Sequence, residues 1–283
     1  NLKITISVMK KLHALCIWVF CTALFIQCKS GLVTTSNSCY NLIKSSNDQN
    51  KAGDYSSALA NFNEILKKCD AYDAKIPAYA GKAGALNGLH QYQDALAAAE
   101  EGLKLDKTSI YNLFEKASAE AGLGMNTEAK ADLLSVISLT QKNQNTSERA
   151  AIYAKIAALD SRQQQWSEAQ TNVQSAIGLD PNNADLYTLQ GDIYTSSGNY
   201  SSATESYNKA IAMGGSQSGN AWKAKIESMV KMYQAKYGTS DANILASKMN
   251  SSEKKNLCDA IQSGTSQGVK NMNIDLLRVA ICK

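Results

Sequence analysis

The sequence is poor in aromatic residues, proline and histidine: 7% of its 283 residues are aromatic, and it has only two Pro and two His. The composition, with 44% apolar residues but so little aromatic mass, predicts a thin, repetitive core built from Ala, Leu and Tyr. This composition excludes a disordered or a collagen-like chain. Net charge is low as well, since 29 Lys and Arg face 25 Asp and Glu. Three of those lysines lie in residues 1–27, and without them the excess is one, which removes the electrostatic case for nucleic-acid binding.

Residues 1–27 have the layout of a secretory signal peptide: a basic start without acids, then an apolar run of about 16 residues, too short for a comfortable transmembrane helix. Cys28 follows the run directly and resembles the lipid-modified cysteine of bacterial lipoproteins. That resemblance implies an exported protein held at the outer membrane or in the periplasm by a lipid on Cys28. Phe25 and Gln27 depart from the lipoprotein pattern, so cleavage at Ser30 with plain secretion, or a retained anchor, are the alternatives.

The cysteine count also favours export. Removal of the signal peptide leaves five cysteines, namely Cys28, Cys39, Cys69, Cys258 and Cys282. Cys39 is predicted to open a helix and Cys69 to close its antiparallel partner, so the two could form a disulfide that stabilises the fold by about 3 to 4 kcal/mol. Cys258 and Cys282 fall in two predicted C-terminal helices and form the second proposed pair. Buried free thiols are the alternative for all four. The absence of a Cys-x-x-Cys motif argues against a metal site and a thioredoxin-like site.

The strongest pattern in the sequence is an internal repeat. A small residue followed by a second residue, usually bulky, four positions later recurs at steps of 37, 34, 40 and 34 residues. The five pairs are Ala58/Phe62, Ala95/Ala99, Ala129/Leu133, Ala169/Val173 and Ala203/Tyr207. Two antiparallel helices approach closely only where side chains are small, so each Ala should mark a helix crossing. Gly53, Gly124 and Gly198 should end the first helix of their hairpins.

These residues resemble the tetratricopeptide repeat, most clearly in the fifth copy, where Gly191, Tyr194, Gly198, Tyr200 and Ala203 match its pattern. The resemblance implies an all-α solenoid of helical hairpins that is stabilised by stacking of neighbours. The predicted organisation is a signal peptide (1–27), a flexible tether (28–38), five hairpins (39–213), a capping helix (214–238) and a C-terminal helical extension (239–283).

Two regions depart from the repeat. The entirely polar segment 141–147 holds the extra residues of the 40-residue step and is predicted to be a surface loop. Beyond Gly238, short helices are predicted near 241–249, 252–262 and 273–282, and this tail could pack back on the last repeat.

Nothing in the sequence indicates catalysis. Once the signal peptide is removed, His90 is the remaining histidine, and it falls at a predicted hairpin turn where a solvated side chain is the expectation. No Ser-His-Asp set, no phosphate-binding loop and no histidine-containing metal cluster can be assembled. We therefore predict no enzyme activity, no metal and no cofactor.

The surface expected to bind partners is the one that the first helix of each hairpin lines in tetratricopeptide repeats. The predicted binding residues are Tyr40, Ile43, Asn47, Tyr111, Phe114, Ser118, Asp185 and Asp192. They would form an aromatic and aliphatic strip with an acidic end, suited to an extended or helical segment with apolar side chains. The alternative is that these residues merely pack against neighbouring helices.

The favoured interpretation is a non-catalytic adaptor of the bacterial cell envelope that binds a protein or peptide partner. A second hypothesis is a lipoprotein that captures a carbohydrate or nutrient. That function would require exposed aromatic platforms, whereas Trp166 and Trp222 fall at predicted packing positions.

Overall fold

The computed structural model describes residues 35–142, 145–214 and 218–282. Those residues form 14 α-helices and no β-strand. The signal peptide, Cys28 and most of the predicted tether lie outside the described residues. None of the described helices is both long enough and apolar enough to cross a bilayer. The chain divides after Gly122 into two compact units.

Unit 1 contains five helices, and successive helices pack against one another. Their bounds are α1 Asn37–Lys51, α2 Tyr55–Lys68, α3 Tyr72–Gly88, α4 Tyr92–Leu105 and α5 Ile110–Gly122. The first helices of the hairpins also contact each other, α1 with α3 and α3 with α5. The predicted tether was two residues too long, because Ser36 accepts a hydrogen bond from the Cys39 backbone N–H and caps α1 at Asn37.

Unit 2 contains nine helices. Their bounds are α6 Asn126–Thr140, α7 Thr146–Arg162, α8 Trp166–Leu179, α9 Ala184–Ser196, α10 Tyr200–Met213, α11 Ser218–Tyr237, α12 Ala242–Lys248, α13 Ser251–Ser266 and α14 Met272–Ile281. The third predicted hairpin is divided between the units, since α5 belongs to unit 1 and α6 to unit 2. The predicted loop 141–147 ends earlier than expected, because Asn145 caps α7 by accepting from the Glu148 backbone N–H.

The repeat of small and bulky residues is buried throughout, as its spacing predicted. All ten residues of the five pairs are at most 1% exposed. The pairs are therefore core positions of their helices, and in four of the five a larger side chain follows the Ala and can fill the space beside a close helix approach.

The hairpin turns share one backbone conformation. Gly53, Gly124 and Gly198 have φ values of 82°, 82° and 81°, in the left-handed region that costs glycine least. His90 and Gln164 stand at the corresponding turns of the second and fourth hairpins, with φ values of 60° and 59°. Every repeat therefore has a left-handed residue at the same position, whether or not the sequence supplies glycine there.

The C-terminal helices form a small core of their own. Helix α11 packs on α9 and α10. Of the following helices, α12 and α13 pack on α11, and α14 packs on α12 and α13, instead of on the last repeat as the sequence suggested. Ile226, Leu245, Leu257 and Ile261 are fully buried at the centre of this core. The structure joins Cys258 to Cys282, which holds the end of α14 against α13, and in unit 1 it joins Cys39 of α1 to Cys69 after α2.

Candidate binding face on the first helices of unit 1

The first helices of unit 1 are fixed to one another by asparagine side chains. Asn50 of α1 donates from Nδ2 to the Gly81 carbonyl oxygen of α3 at 2.9 Å. Asn112 of α5 is fully buried and donates to the Ile76 carbonyl oxygen of α3 at 3.0 Å. These bonds link three helices that are not consecutive in the chain and give their common face a rigid frame.

Between α3 and α5 a carboxylate lies beside a glycine. Asn87 of α3 donates from Nδ2 to Glu115 of α5, at 2.8 Å to Oε2 and at 3.0 Å to the carbonyl oxygen. A Cβ atom at Gly84 would lie 3.3 Å from Glu115 Oε1, a tight contact, and 3.5 Å from Asn50 Nδ2, an ordinary van der Waals contact. Nothing in the sequence marks Glu115 except its position directly after Phe114.

Two predicted binding residues stand out on this face because of their exposure. Tyr40 on α1 and Tyr111 on α5 occupy the same position in the first and third repeats and are 62% and 61% exposed. Asn47 and Phe114 are half-buried. Ser118 is half-buried too, and its hydroxyl donates to the Phe114 carbonyl oxygen at 2.8 Å. We call these five residues the first-helix face of unit 1.

Ile43 was predicted to line this surface, and that prediction is wrong. Its side chain is 8% exposed and packs in the core of unit 1 with Ala58 and Phe62. The physical reason is its direction on α1, since Ile43 points toward α2 whereas Tyr40, three residues earlier, points to solvent. For this residue the packing alternative holds.

The two predicted acidic residues lie on α9, in unit 2. Asp185 is exposed, and its backbone N–H donates to the capping Asn183. Asp192 is exposed as a residue, yet its Oδ1 accepts a hydrogen bond of 2.8 Å from the buried Tyr207 hydroxyl. Loss of hydration at this contact raises the pKa of the Asp192 carboxyl group. Burial likewise raises the pKa of Tyr207, so the phenol keeps its proton and acts as the donor. Asp192 thus has a structural partner within its own hairpin.

The described residues offer no grouping of His, Cys, Asp and Glu that could hold a metal ion. His90 is exposed at its turn, and its Nδ1 lies 2.7 Å from the Tyr92 hydroxyl. Neither of the two tryptophans in the described ranges forms an open platform, because Trp166 is half-buried and Trp222 packs against the C-terminal core with Lys225 over its ring.

Comparisons with known proteins agree with this fold. Residues 111–231 match the sequence model of the tetratricopeptide repeat-like domain. The chain is similar to a crystallised tetratricopeptide repeat protein from Parabacteroides merdae, with 16% identity, a TM-score of 0.53, and coverage of 88% of this chain and 100% of that one. It is also similar to PilF of Pseudomonas aeruginosa, with 13% identity, a TM-score of 0.59, and coverage of 85% and 96%. For a thermophilic TPR protein from Thermus thermophilus the values are 15% identity, a TM-score of 0.55, and coverage of 69% and 98%.

The comparison with curated proteins found no similar sequence. The fold is therefore that of an all-α tetratricopeptide-repeat solenoid, and the findings support a tetratricopeptide-repeat protein. At these identities the structural likeness concerns the fold alone.

Proposed function

We propose that the protein is a non-catalytic interaction scaffold that binds a peptide or protein segment on the first-helix face of unit 1. One observation carries the proposal: Tyr40 and Tyr111 expose most of their rings at equivalent repeat positions, on helices that bonds through Asn50 and Asn112 hold rigid. Exposed tyrosines on a rigid frame lose little side-chain entropy on binding and offer both an apolar ring and a hydroxyl. A segment with apolar side chains fits that chemistry.

The proposal extends to location. The apolar run before Cys28 supports export and attachment to the bacterial cell envelope by a lipid on that residue, so that the scaffold assembles its partners beside a membrane. Labelling of cells with radioactive palmitate tests this part. We expect label on the wild-type chain and none on Cys28→Ala, while label that persists on the variant would overturn the lipid anchor.

The binding face is tested by capture of partners from solubilised envelopes, their identification, and direct binding of one purified partner. We expect Tyr40→Ala combined with Tyr111→Ala to weaken its binding by at least about tenfold, since each tyrosine would be a large anchor. Unchanged affinity of the double variant would dispose of the proposed face.

Tyr72 provides a matched control. It is as exposed as the other two tyrosines and belongs to the same unit, but it is the first residue of α3. Pro77 occupies in the second repeat the position that Tyr40 and Tyr111 occupy in the first and third. Tyr72 lies five residues before Pro77 and therefore points about 140° away from it around the helix axis. Tyr72→Ala should keep wild-type affinity. An equal loss in both variants would show that general aromatic stickiness, and not this face, is responsible.

Glycan arrays address the carbohydrate alternative with the same proteins. Binding of a defined glycan that disappears in the Tyr40/Tyr111 variant would favour a carbohydrate-capture protein over the scaffold.

A further inference from the structure

Helix α14, at the C-terminal end of unit 2, has an apolar face that nothing in the described part of the chain covers. Met272, Leu276 and Val279 are 78%, 61% and 66% exposed. On a helix that turns about 100° per residue, the three fall within a stripe about 60° wide. Ile274 and Ile281 lie on the opposite side of the helix and are buried in the C-terminal core. The helix therefore has two apolar faces, one packed within its own chain and one toward solvent.

The helix is held in place from its buried side. Ile274 and Ile281 are each 3% exposed, and Cys282, directly after the helix, is bonded to Cys258 of α13. Asn271 caps the other end by accepting from the backbone N–H groups of Asn273 and Ile274. The exposed stripe is thus presented on a fixed helix, as a docking surface requires.

One flank of the stripe carries a complementary pair of charges. Asp275 and Arg278 lie on the same flank, and their nearest atoms are 3.7 Å apart, a loose pair in which both side chains are about half exposed. The residues of α14 on the other flank, Asn273 and Ala280, have no charge, and the groove beside them is also lined by Glu227 and Lys231 of α11. When a two-fold rotation makes two such helices antiparallel, the charged flank of one helix lies next to the charged flank of the other. Because this flank carries one acid and one base, the acid of each copy can then pair with the base of the other copy.

We propose that this face docks on the same face of a second copy of the chain, with the two α14 helices antiparallel. When the two-fold axis passes between positions 276 and 277, Asp275 of each copy meets Arg278 of the other. A parallel arrangement would place the charged flank against Asn273 and Ala280, and an antiparallel register centred on position 275 would oppose two aspartates. The charges therefore select one arrangement among those that the apolar stripe allows.

Size sets the strength of this contact. The area that three side chains per copy can bury is well below the about 800 Å² per partner that a stable interface buries. The dimer is therefore weak and its population depends on concentration. Charge pairs at its rim contribute modestly and fade with salt.

The test uses the full chain in a mild non-ionic detergent and follows its mass against concentration by analytical ultracentrifugation. We expect reversible dimers of the wild type and at least about a tenfold weaker association for Asp275→Arg and for Arg278→Asp, since each variant opposes like charges twice. A mixture of the two variants should form mixed dimers with wild-type affinity, because the arginines of one variant then meet the aspartates of the other at both charge contacts. Mixed dimers no tighter than the separate variants would overturn the proposal.

A second measurement identifies the occupant of the face in cells. A photoreactive phenylalanine analogue in place of Leu276 should give a crosslinked product of twice the chain mass. A product with a lipid or with another protein, and none of dimer mass, would show that the face has a different occupant and that the proposal is wrong. The same analogue at Leu134, an exposed leucine of α6, is the control and should give no such dimer.

Discussion

The ring of Tyr207 lies directly against the backbone of Gly191, so closely that a Cβ atom at position 191 would overlap the ring carbons. Tyr207 is 1% exposed, donates to Asp192 and lies 3.0 Å from the Thr195 hydroxyl, which in turn donates to Ser228 of α11 at 2.8 Å. The glycine thereby lets one aromatic side chain connect α9, α10 and α11.

Gly191→Ala should destabilise the protein by about 1 to 3 kcal/mol, because the added methyl group would displace a ring that is packed inside the core. Gly178→Ala is the matched control. Gly178 also lies within a helix, but no atom would come within 4 Å of an added Cβ. That variant should be neutral or gain up to about 1 kcal/mol from helix propensity. Urea unfolding measures both, and equal effects of the two substitutions would contradict the packing argument.

Gln164→Gly should stabilise the protein, by about 0.5 to 1 kcal/mol. Gln164 has a φ of 59°, a conformation that costs a residue with a Cβ about 1 kcal/mol or more, and this exceeds the entropy that glycine adds to the unfolded chain. The neighbouring Gln163 has a φ of −85°, so Gln163→Gly should destabilise instead. Thermal unfolding of the two variants tests the assignment, which fails if both move the midpoint in the same direction.

Lys130→Met should destabilise unit 2 by about 3 kcal/mol, because it leaves the buried Asp160 carboxylate without a cation. Asp160 is fully buried and accepts from Lys130 Nζ at 2.5 Å and from Asn172 Nδ2 at 2.7 Å. Lys68→Met breaks a pair of the same length to Glu64, but that pair is exposed and screened by solvent, so its loss should change stability far less. Chemical denaturation measures the free energy of unfolding of both variants. Similar decreases for Lys130→Met and Lys68→Met would show that the burial of Asp160 does not increase its need for a cation.

The sequence was sufficient to predict which residues form the helical core, but it predicted much less of the binding face. An Ala followed four positions later by a second apolar residue is buried in every repeat, so this spacing alone located the repeats. The left-handed residues of the turns were found only in part: glycine marks three of them, and the sequence placed His90 at a turn without indicating its φ. His90 and Gln164 adopt the same φ as the glycines because the flanking helices impose it.

The face was harder because its properties depend on partners distant in the chain. Tyr40 and Ile43 are three residues apart on one helix, and only the position of α2 decides which of them is buried. Buried polar residues pose the same problem. Asp160 looks like a surface acid until Lys130, thirty positions earlier, is seen beside it. Helical periodicity predicts the direction in which a side chain leaves its own helix, but not which residues of other helices it meets in that direction.

Glu253 makes the C-terminal core sensitive to acid. Its carboxylate accepts from Lys236 Nζ at 2.5 Å, from the Tyr237 hydroxyl at 2.6 Å and from the Asn250 backbone N–H at 3.0 Å. These donors favour the ionised form and lower the pKa of Glu253 to about 2, with Lys236 the largest cause. A folded-state pKa below that of the unfolded chain, about 4.3, means that the unfolded state binds the proton first.

The contribution of Glu253 is therefore complete above pH about 4.5 and is lost as the pH falls toward 2. The free energy of unfolding, measured in urea across this range, should fall more steeply for the wild type than for Glu253→Gln, which cannot ionise. Tyr237→Phe keeps the carboxylate but removes one donor, so its slope should lie between the two. Identical slopes for the wild type and Glu253→Gln would mean that the carboxylate titrates alike in both states. The intermediate slope of Tyr237→Phe separates this cause from a general weakening of the core, which would lower stability equally at every pH.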